Sequence, residues 1–492
     1  MTRERLRFWL AAAAILTVGL LLRLWFIHAM ARVAGDSLVY GDIAKNWLRD
    51  GVYGFRETGA LPGTTMLRPT LIRLPGYPLF LAFCFRLFGM EHYRAVLYAQ
   101  AGVDMCSCVL AAATAARLFG RRVALPVLAL AALCPFTANY TAAALTETLT
   151  LFTIALAFYA TARWQAAGRG FNRWLFLTAA ALSYGLLLRP EQGLLSAAVI
   201  PAMLWIALRP VWPAPSRAAL LRAASPIVAC ALLTLLPLVP WTIRNWHTFH
   251  VFQPLAPRSA SDPGEAQTSN GFDRWYRTWA IDYAATEDVY WRYDGDSLFL
   301  DAVPARAFDV RTQPSAASLR DRTAALFDRY NENTSATPEI DAAFNALATE
   351  FARAHPIRTW LLLPVARVLN MAFRPRTELM QIELRWWHYH DHRAQTVFAT
   401  AYAALDIAYF GAAFAGLRRW RKLGWLGTGA LAAGMAATIL LRAALLLTLD
   451  NSEPRYTLEF FPVLFVYSGA LFYRSGQGDR VAARGSCKRE PR

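Results

Sequence analysis

The stretch AGDSLVYGDIAKNWLRDGVYGF (34–55) follows the first apolar run of the chain. It sets three carboxylates, Asp36, Asp42 and Asp50, where a membrane segment would meet water. Arg68 and Arg73 come next, in LRPTLIRLPGYP. Glu147 stands in ALTETLTLF, Arg189 and Glu191 in LLRPEQG, Arg244 and Asn245 in PWTIRN, and Glu453, Arg455 and Tyr456 in DNSEPRYTLEFFP. An ionisable group at membrane depth costs about 2.5–3.5 kcal/mol on insertion scales, so such residues are candidates for function by default. Taken singly, each has a plain structural account. Asp42 can cap IAKNWL, Arg244 can close its helix beside free carbonyls, and Arg189 can pair with Glu191. Taken together they fit one chemistry. Guanidinium forks match phosphate oxygens, and a carboxylate at the membrane edge can take a proton from a hydroxyl or amine. The combination points to transfer of a group from a phosphate-linked lipid to an acceptor outside the cytosol.

These residues are held by a chain built for a bilayer. Of 492 residues, 56% are hydrophobic and only 17% charged, where a soluble protein carries about 25% charge. The apolar runs are continuous rather than alternating, which excludes a β-barrel. The expected fold is all-α and polytopic, with about ten membrane-crossing helices. They fall at 8–30, 93–118, 122–140, 146–163, 173–188, 193–209, 224–243, 396–416, 423–447 and 457–473. Basic residues alternate between the connections as the positive-inside rule requires. Arg3, Arg5 and Arg7 precede the first span, Arg121 and Arg122 the third, and Arg163, Arg169 and Arg173 the fifth. Arg209, Arg217 and Arg222 precede the seventh, Arg418, Arg419, Arg421 and Lys422 the ninth, and Arg474, Arg480 and Arg484 follow the last. Both termini are then cytoplasmic, and the acids and arginines named above share the opposite face. Segments 75–89 and 356–374 are left out of the count. The first is short and carries Arg86; the second is amphipathic with Arg358 and Arg367. Both are expected to lie at the interface.

Four regions follow. Residues 1–250 form a transmembrane core with a first outer loop at 31–92. Residues 251–395 form an extracytoplasmic, mostly helical loop region with the interfacial helix 356–374. Residues 396–475 hold the C-terminal spans, and 476–492 a basic cytoplasmic tail. Helical periodicity marks 318–331 and 338–355 within the loop region. Trp275, Tyr276, Trp279 and Tyr283 form either a packing cluster or faces for sugar stacking. The net charge of +17 comes from arginines flanking the spans, with lysine only at 45, 422 and 488, so no nucleic acid partner is expected. This usage fits a protein of a bacterial inner membrane. The six cysteines, at 84, 106, 108, 134, 230 and 487, show no metal-ligand spacing. In RWWHYHDH, the histidines 388, 390 and 392 sit among Trp386, Trp387 and Tyr389, a pattern that favours an interfacial aromatic belt over a metal site. Asp104 and Arg442, both inside predicted spans, are either a pair or separate.

The order of several motifs resembles the polytopic GT-C glycosyltransferases, in the branch of the protein O-mannosyltransferases and the lipid A aminoarabinose transferase (glycosyltransferase family 39-like). The motifs are Asp36-Ser-Leu-Val-Tyr40 running into Ile43-Ala44, Arg73-Leu-Pro-Gly-Tyr-Pro78, Pro135 followed by Thr146-Glu147, Pro240-Trp-Thr-Ile-Arg-Asn245, and Glu453-Pro-Arg-Tyr456. The likeness covers most of 1–250 and about 440–475. It implies that Asp36 is the catalytic carboxylate, with Asp42, Glu147 and Glu191 as supporting acids. Arg73, Arg455 and Arg244 become candidates for the donor phosphate, and Tyr40, Tyr77 and Tyr456 for substrate contacts. Ser37 stands where relatives often carry a second acid, and the branch is held to need neither metal nor cofactor. The implied reaction is an inverting displacement from a polyprenyl-phosphate sugar in the bilayer to an unknown acceptor. The alternatives are an envelope polysaccharide polymerase or ligase, for which outer histidines speak, and a lipid or solute transporter, which would place its charges at the membrane midplane.

Overall fold

A computed structural model describes residues 3–58, 64–257, 261–265, 269–308 and 316–474. The tail with Arg480, Arg484 and Cys487 lies outside the described residues.

The helices are α1 (Arg3–Met30), α2 (Asp36–Asp50), α3 (Gly76–Phe88), α4 (Tyr93–Phe119), α5 (Ala124–Ala132), α6 (Pro135–Asn139), α7 (Glu147–Ala166), α8 (Arg173–Leu188), α9 (Gly193–Leu208), α10 (Arg217–Leu235) and α11 (Leu238–Phe249). They continue as α12 (Asn270–Arg277), α13 (Ala316–Asn331), α14 (Pro338–Ala354), α15 (Leu363–Phe373), α16 (Arg393–Lys422), α17 (Gly429–Leu446) and α18 (Phe461–Gly469). Between α2 and α3 runs one antiparallel hairpin, β1 (Gly54–Thr58) and β2 (Thr65–Pro69), with Gly54 opposite Pro69 and Thr58 opposite Thr65.

All ten expected spans are helical over most of their lengths, but fewer than the expected ten meet the length and apolarity of a membrane-crossing helix. Among the described residues, six helices are long and apolar enough to cross a bilayer. These are α1, α4, 190–208, 217–249, α16 and α17; the bent pair 121–132 and 135–142, which turns by 48°, makes seven. The remaining three fall short for a physical reason. Helix α7 starts at Glu147, carries four threonines and is buried along most of its length. Helix α8 has 16 residues, a reach of about 24 Å at 1.5 Å per residue. Helix α18 has nine residues, all buried, framed by 3₁₀ turns at 454–460 and 470–472. A helix surrounded by other helices needs neither the length nor the uniform apolarity of one facing lipid. Helix α1 shows the contrast, exposing Leu21 and Trp25.

The chain divides into two compact units. The first takes residues up to 256, 407–439 and the chain from 458; the second takes 257–406 and 440–457. In the first, α4, α7 and α8 form the bundle's interior. Helix α2 is amphipathic and stops at Gly51, whose φ of 70° allows its N–H to reach Trp47 O. Helix α3 enters against α8 through Gly76, where a Cβ would lie 2.5 Å from the Leu187 carbonyl. That close approach gives the glycine of RLPGYP a packing role.

The second unit has an aromatic core in which Phe272, Trp275, Tyr276, Trp279, Phe327 and Phe344 are all buried. Trp275, Tyr276 and Trp279 are therefore core residues, and Tyr283 is buried as well, which accounts for the aromatic richness of the loop without a sugar. The segment 356–374 opens with a π turn at 358–362 and continues as α15, exposing Trp360, Leu361 and Leu369 while burying Arg367 and Met371.

Candidate active site

Asp36 occupies the first turn of α2, where the helix dipole favours a carboxylate. Its Oδ1 accepts a hydrogen bond from Arg73 Nη2 at 3.0 Å, with the aspartate side chain 33% and the arginine 24% exposed. Arg73 also lies over the Tyr40 ring, 5.7 Å from its centroid. The backbone at Arg73 is fixed by Tyr53, whose hydroxyl donates to the Arg73 carbonyl at 2.9 Å. Burial pushes the Tyr40 hydroxyl up to about 12, opposed by the Arg73 guanidinium; the charges of Asp36, Arg189 and Glu147 also act on it. Tyr40 thus stands among Asp36, Arg73, Arg189 and Glu147, and as a neutral phenol at physiological pH it adds no charge of its own. Its ring packs edge-on against Tyr77 at 5.0 Å. Tyr77 is fully buried, so it supports Tyr40 rather than facing a ligand.

Beside this pair lies a second network. Arg189, at the end of α8, reaches Glu147 Oε1 at 3.2 Å and Glu459 Oε1 at 3.2 Å, with Glu191 Oε1 at 3.6 Å. Gln192 donates to Glu459 Oε2 at 2.6 Å. Glu147 is only 2% exposed, a position that needs such a partner. Glu459 is absent from the sequence candidates. It sits in the first turns of the last predicted span, and an acid inside an apolar run was the available signal.

Two sequence candidates are engaged in local structure. Asp42 Oδ2 accepts from Asn46 at 3.1 Å and from the Arg56 backbone N–H at 3.1 Å, and Lys45 lies 3.1 Å from its Oδ1. It thereby joins α2 to the hairpin. Arg244 donates to the carbonyls of Thr70 and Tyr53, each at 2.8 Å, and faces the rings of Tyr53, Trp241 and Phe249. A cavity of about 590 Å³ lies here, lined by Trp47, Tyr53, Pro75, Leu79, Trp241 and Arg244 among others.

Arg455 and Tyr456 belong to the second unit. There Glu453 accepts from Tyr456 Oη at 2.7 Å and from Asn451 at 2.9 Å, and pairs with Arg455. Buried Arg376, another residue not singled out in the sequence, donates to Pro454 O at 2.7 Å and Thr457 Oγ1 at 2.8 Å, and it pairs with Asp406 at 3.1 Å. His388, His390 and His392 are exposed, and no group of metal-ligating side chains occurs among the described residues. Asp104 finds its partner in Arg23 of α1, while Arg442 donates to the Tyr456 carbonyl at 3.3 Å.

Residues 68–243 match the family model described as dolichyl-phosphate-mannose-protein mannosyltransferase. The match lies wholly in the first unit and takes in Arg73, Glu147 and Arg189. Over that segment it bears out the likeness to polytopic glycosyltransferases carried by the sequence motifs. No curated protein matches the chain in sequence. Among solved structures, ArnT from Cupriavidus metallidurans bound to undecaprenyl phosphate is 14% identical with a TM-score of 0.39, over 97% of this chain and 81% of that one. The archaeal oligosaccharyltransferase AglB from Archaeoglobus fulgidus, in complex with an inhibitory peptide and a dolichol-phosphate, is 10% identical with a TM-score of 0.47, over 99% of this chain and 53% of that one. The apo form of the Archaeoglobus fulgidus oligosaccharyltransferase is 11% identical with a TM-score of 0.48, over 98% of this chain and 52% of that one. The chain thus spans about half the length of the archaeal enzyme.

Proposed function

We propose that this chain is a membrane glycosyltransferase that moves a sugar from a polyprenyl-phosphate donor to an acceptor outside the cytosol. The observation that carries the reading is the Asp36–Arg73 pair at 3.0 Å, partly open to solvent at the start of α2. In the resting site each group neutralises the other. A donor phosphate competes for Arg73, because a guanidinium binds phosphate oxygens bidentately. Asp36 is then released to accept a proton. The acceptor's hydroxyl or amine attacks the anomeric carbon, and its proton passes to the Asp36 carboxylate. The bond from that carbon to the phosphate oxygen breaks, and the lipid phosphate departs with the electron pair. Arg73 stabilises the charge that grows on the leaving oxygen. One in-line step inverts the anomeric centre.

Glu147 and Glu191 act in this reading through Arg189, as supporting acids at the edge of the site. The apolar cavity beside α3 supports a place for the donor's hydrocarbon chain. Arg455 is assigned to donor use on the strength of the sequence resemblance alone. The protein is read as a multi-pass protein of the bacterial inner membrane with cytoplasmic termini and an outward-facing site.

The test is direct. Purified protein in lipid nanodiscs is supplied with a panel of polyprenyl-phosphate sugars and a membrane extract as acceptor source, and free polyprenyl phosphate is measured by mass spectrometry. The expected result is acceptor-dependent release from at least one donor. No release from any donor, with uptake of a sugar or lipid by the same protein reconstituted in vesicles, would contradict it.

A further inference from the structure

A buried glutamine inside a long apolar helix needs a reason. Gln100 of α4 is fully buried and both ends of its amide are used. Tyr77 Oη donates to Gln100 Oε1 at 2.6 Å, and Gln100 Nε2 donates to the Ala143 carbonyl at 2.8 Å. The two partners lead to opposite sides of the site. Tyr77 carries the Tyr40 ring, which lies under Arg73, the partner of Asp36. Ala143 lies four residues before Glu147, in a stretch that also forms a bridge with Arg32, just ahead of α2. Hydrogen bonds of a side-chain amide hold well in a dry interior, where the alternative is an unsatisfied polar group.

We infer that Gln100 is a positioning residue for the transfer reaction: through Tyr77 and Tyr40 it fixes Arg73 and Asp36, and through Ala143 it fixes the approach to Glu147. The inference rests on the proposed glycosyl transfer. Nothing in the geometry brings Gln100 itself to a substrate.

The test compares Gln100→Leu, Gln100→Glu and Tyr77→Phe in nanodiscs, with kcat counted per molecule of monodisperse protein. A single buried hydrogen bond acting on the transition state is worth up to about tenfold in rate. Tyr77→Phe should lower kcat by up to about that factor, and Gln100→Leu, which also strands the Ala143 carbonyl, by at least as much; the double variant should match Gln100→Leu alone rather than the product of the two, since Gln100→Leu has already broken the bond that Tyr77→Phe removes. Gln100→Glu, neutral when buried, keeps an acceptor for Tyr77 and a donor for Ala143; it should return kcat to within about threefold of the native chain. Additive losses, or an unchanged kcat with only a lower yield of folded protein, would overturn the inference. A second readout is independent of activity. Ser37, buried in the first turn of α2, is changed to give Ser37→Cys, and maleimide labelling at position 37 is followed by peptide mass. Labelling should be about tenfold faster in the Gln100→Leu background if local opening of α2 becomes easier; equal rates would overturn the positioning role. Absence of transfer by the native chain would instead sink the glycosyltransferase reading, and the labelling comparison would still decide on Gln100.

Discussion

Two of the arginine–aspartate pairs in the first unit are chemically alike and physically opposite. Arg23 and Asp104 are joined at 2.7 Å with side chains 0% and 2% exposed. Arg23 further donates to Gly19 O at 2.7 Å and to Ala132 O at 2.6 Å, and it contacts Cys108 Sγ. Every direction of that guanidinium is spent inside the bundle, and one of its bonds closes the end of α5 just before the chain bends. Asp36 and Arg73 lie at 3.0 Å, about a third and a quarter exposed, in the stretch between α1 and α3. The same residue types serve as a brace in one place and, in the proposed function, as a reactive pair in the other. Burial makes the difference: a fully desolvated pair is held by the cost of separating it, whereas a partly hydrated pair can exchange one partner for a ligand at small cost.

The comparison breaks most visibly at the buried pair. Asp104→Ala leaves a guanidinium stranded in the bundle and should cost about 3–5 kcal/mol, read as a lower thermal midpoint and poor recovery of monodisperse protein in detergent. Replacing both partners, with Arg23→Met and Asp104→Leu, should restore much of that loss. Equal destabilisation by the double and single variants would show that Arg23 has a role beyond the pair. Arg73→Ala should leave stability within about 1 kcal/mol, since exposed pairs contribute little, while kcat/KM for the donor falls by about 10- to 100-fold. A stability loss as large as at Asp104 would erase the distinction. Asp42→Asn should have the smallest effect. Its ion pair with Lys45 is partly hydrated, and asparagine can still accept from Asn46 and the Arg56 N–H, so the loss of stability should be below about 1 kcal/mol, with transfer within about threefold of the native rate.

How much of this was legible in the sequence follows the same division. The span positions could be read because a bilayer demands continuous apolar runs, and nearly every predicted bound lies within a few residues of a helix end. The count was less legible, because α8 is short and α7 and α18 are buried along most of their lengths. The hairpin was missed since its strands are five residues each and its alternation is weak. In the site, motif order alone pointed to Asp36 and Arg73. Glu459, Gln100 and Arg23 could not be assigned from one chain, because their partners lie 270, 23 and 81 residues away in sequence. An arginine in a span announces a partner without naming it.

The central claim is that the Asp36 carboxylate takes the acceptor's proton, and Asp36→Asn tests it most directly. Asparagine keeps the shape and can still accept a hydrogen bond from Arg73, but it cannot act as a base. Kinetics on purified native and Asp36→Asn protein, with matched amounts of monodisperse material, should show kcat reduced by about 10²- to 10⁴-fold, with KM for the donor changed by less than about threefold. Transfer by the Asp36→Asn protein within about threefold of the native rate would contradict the account.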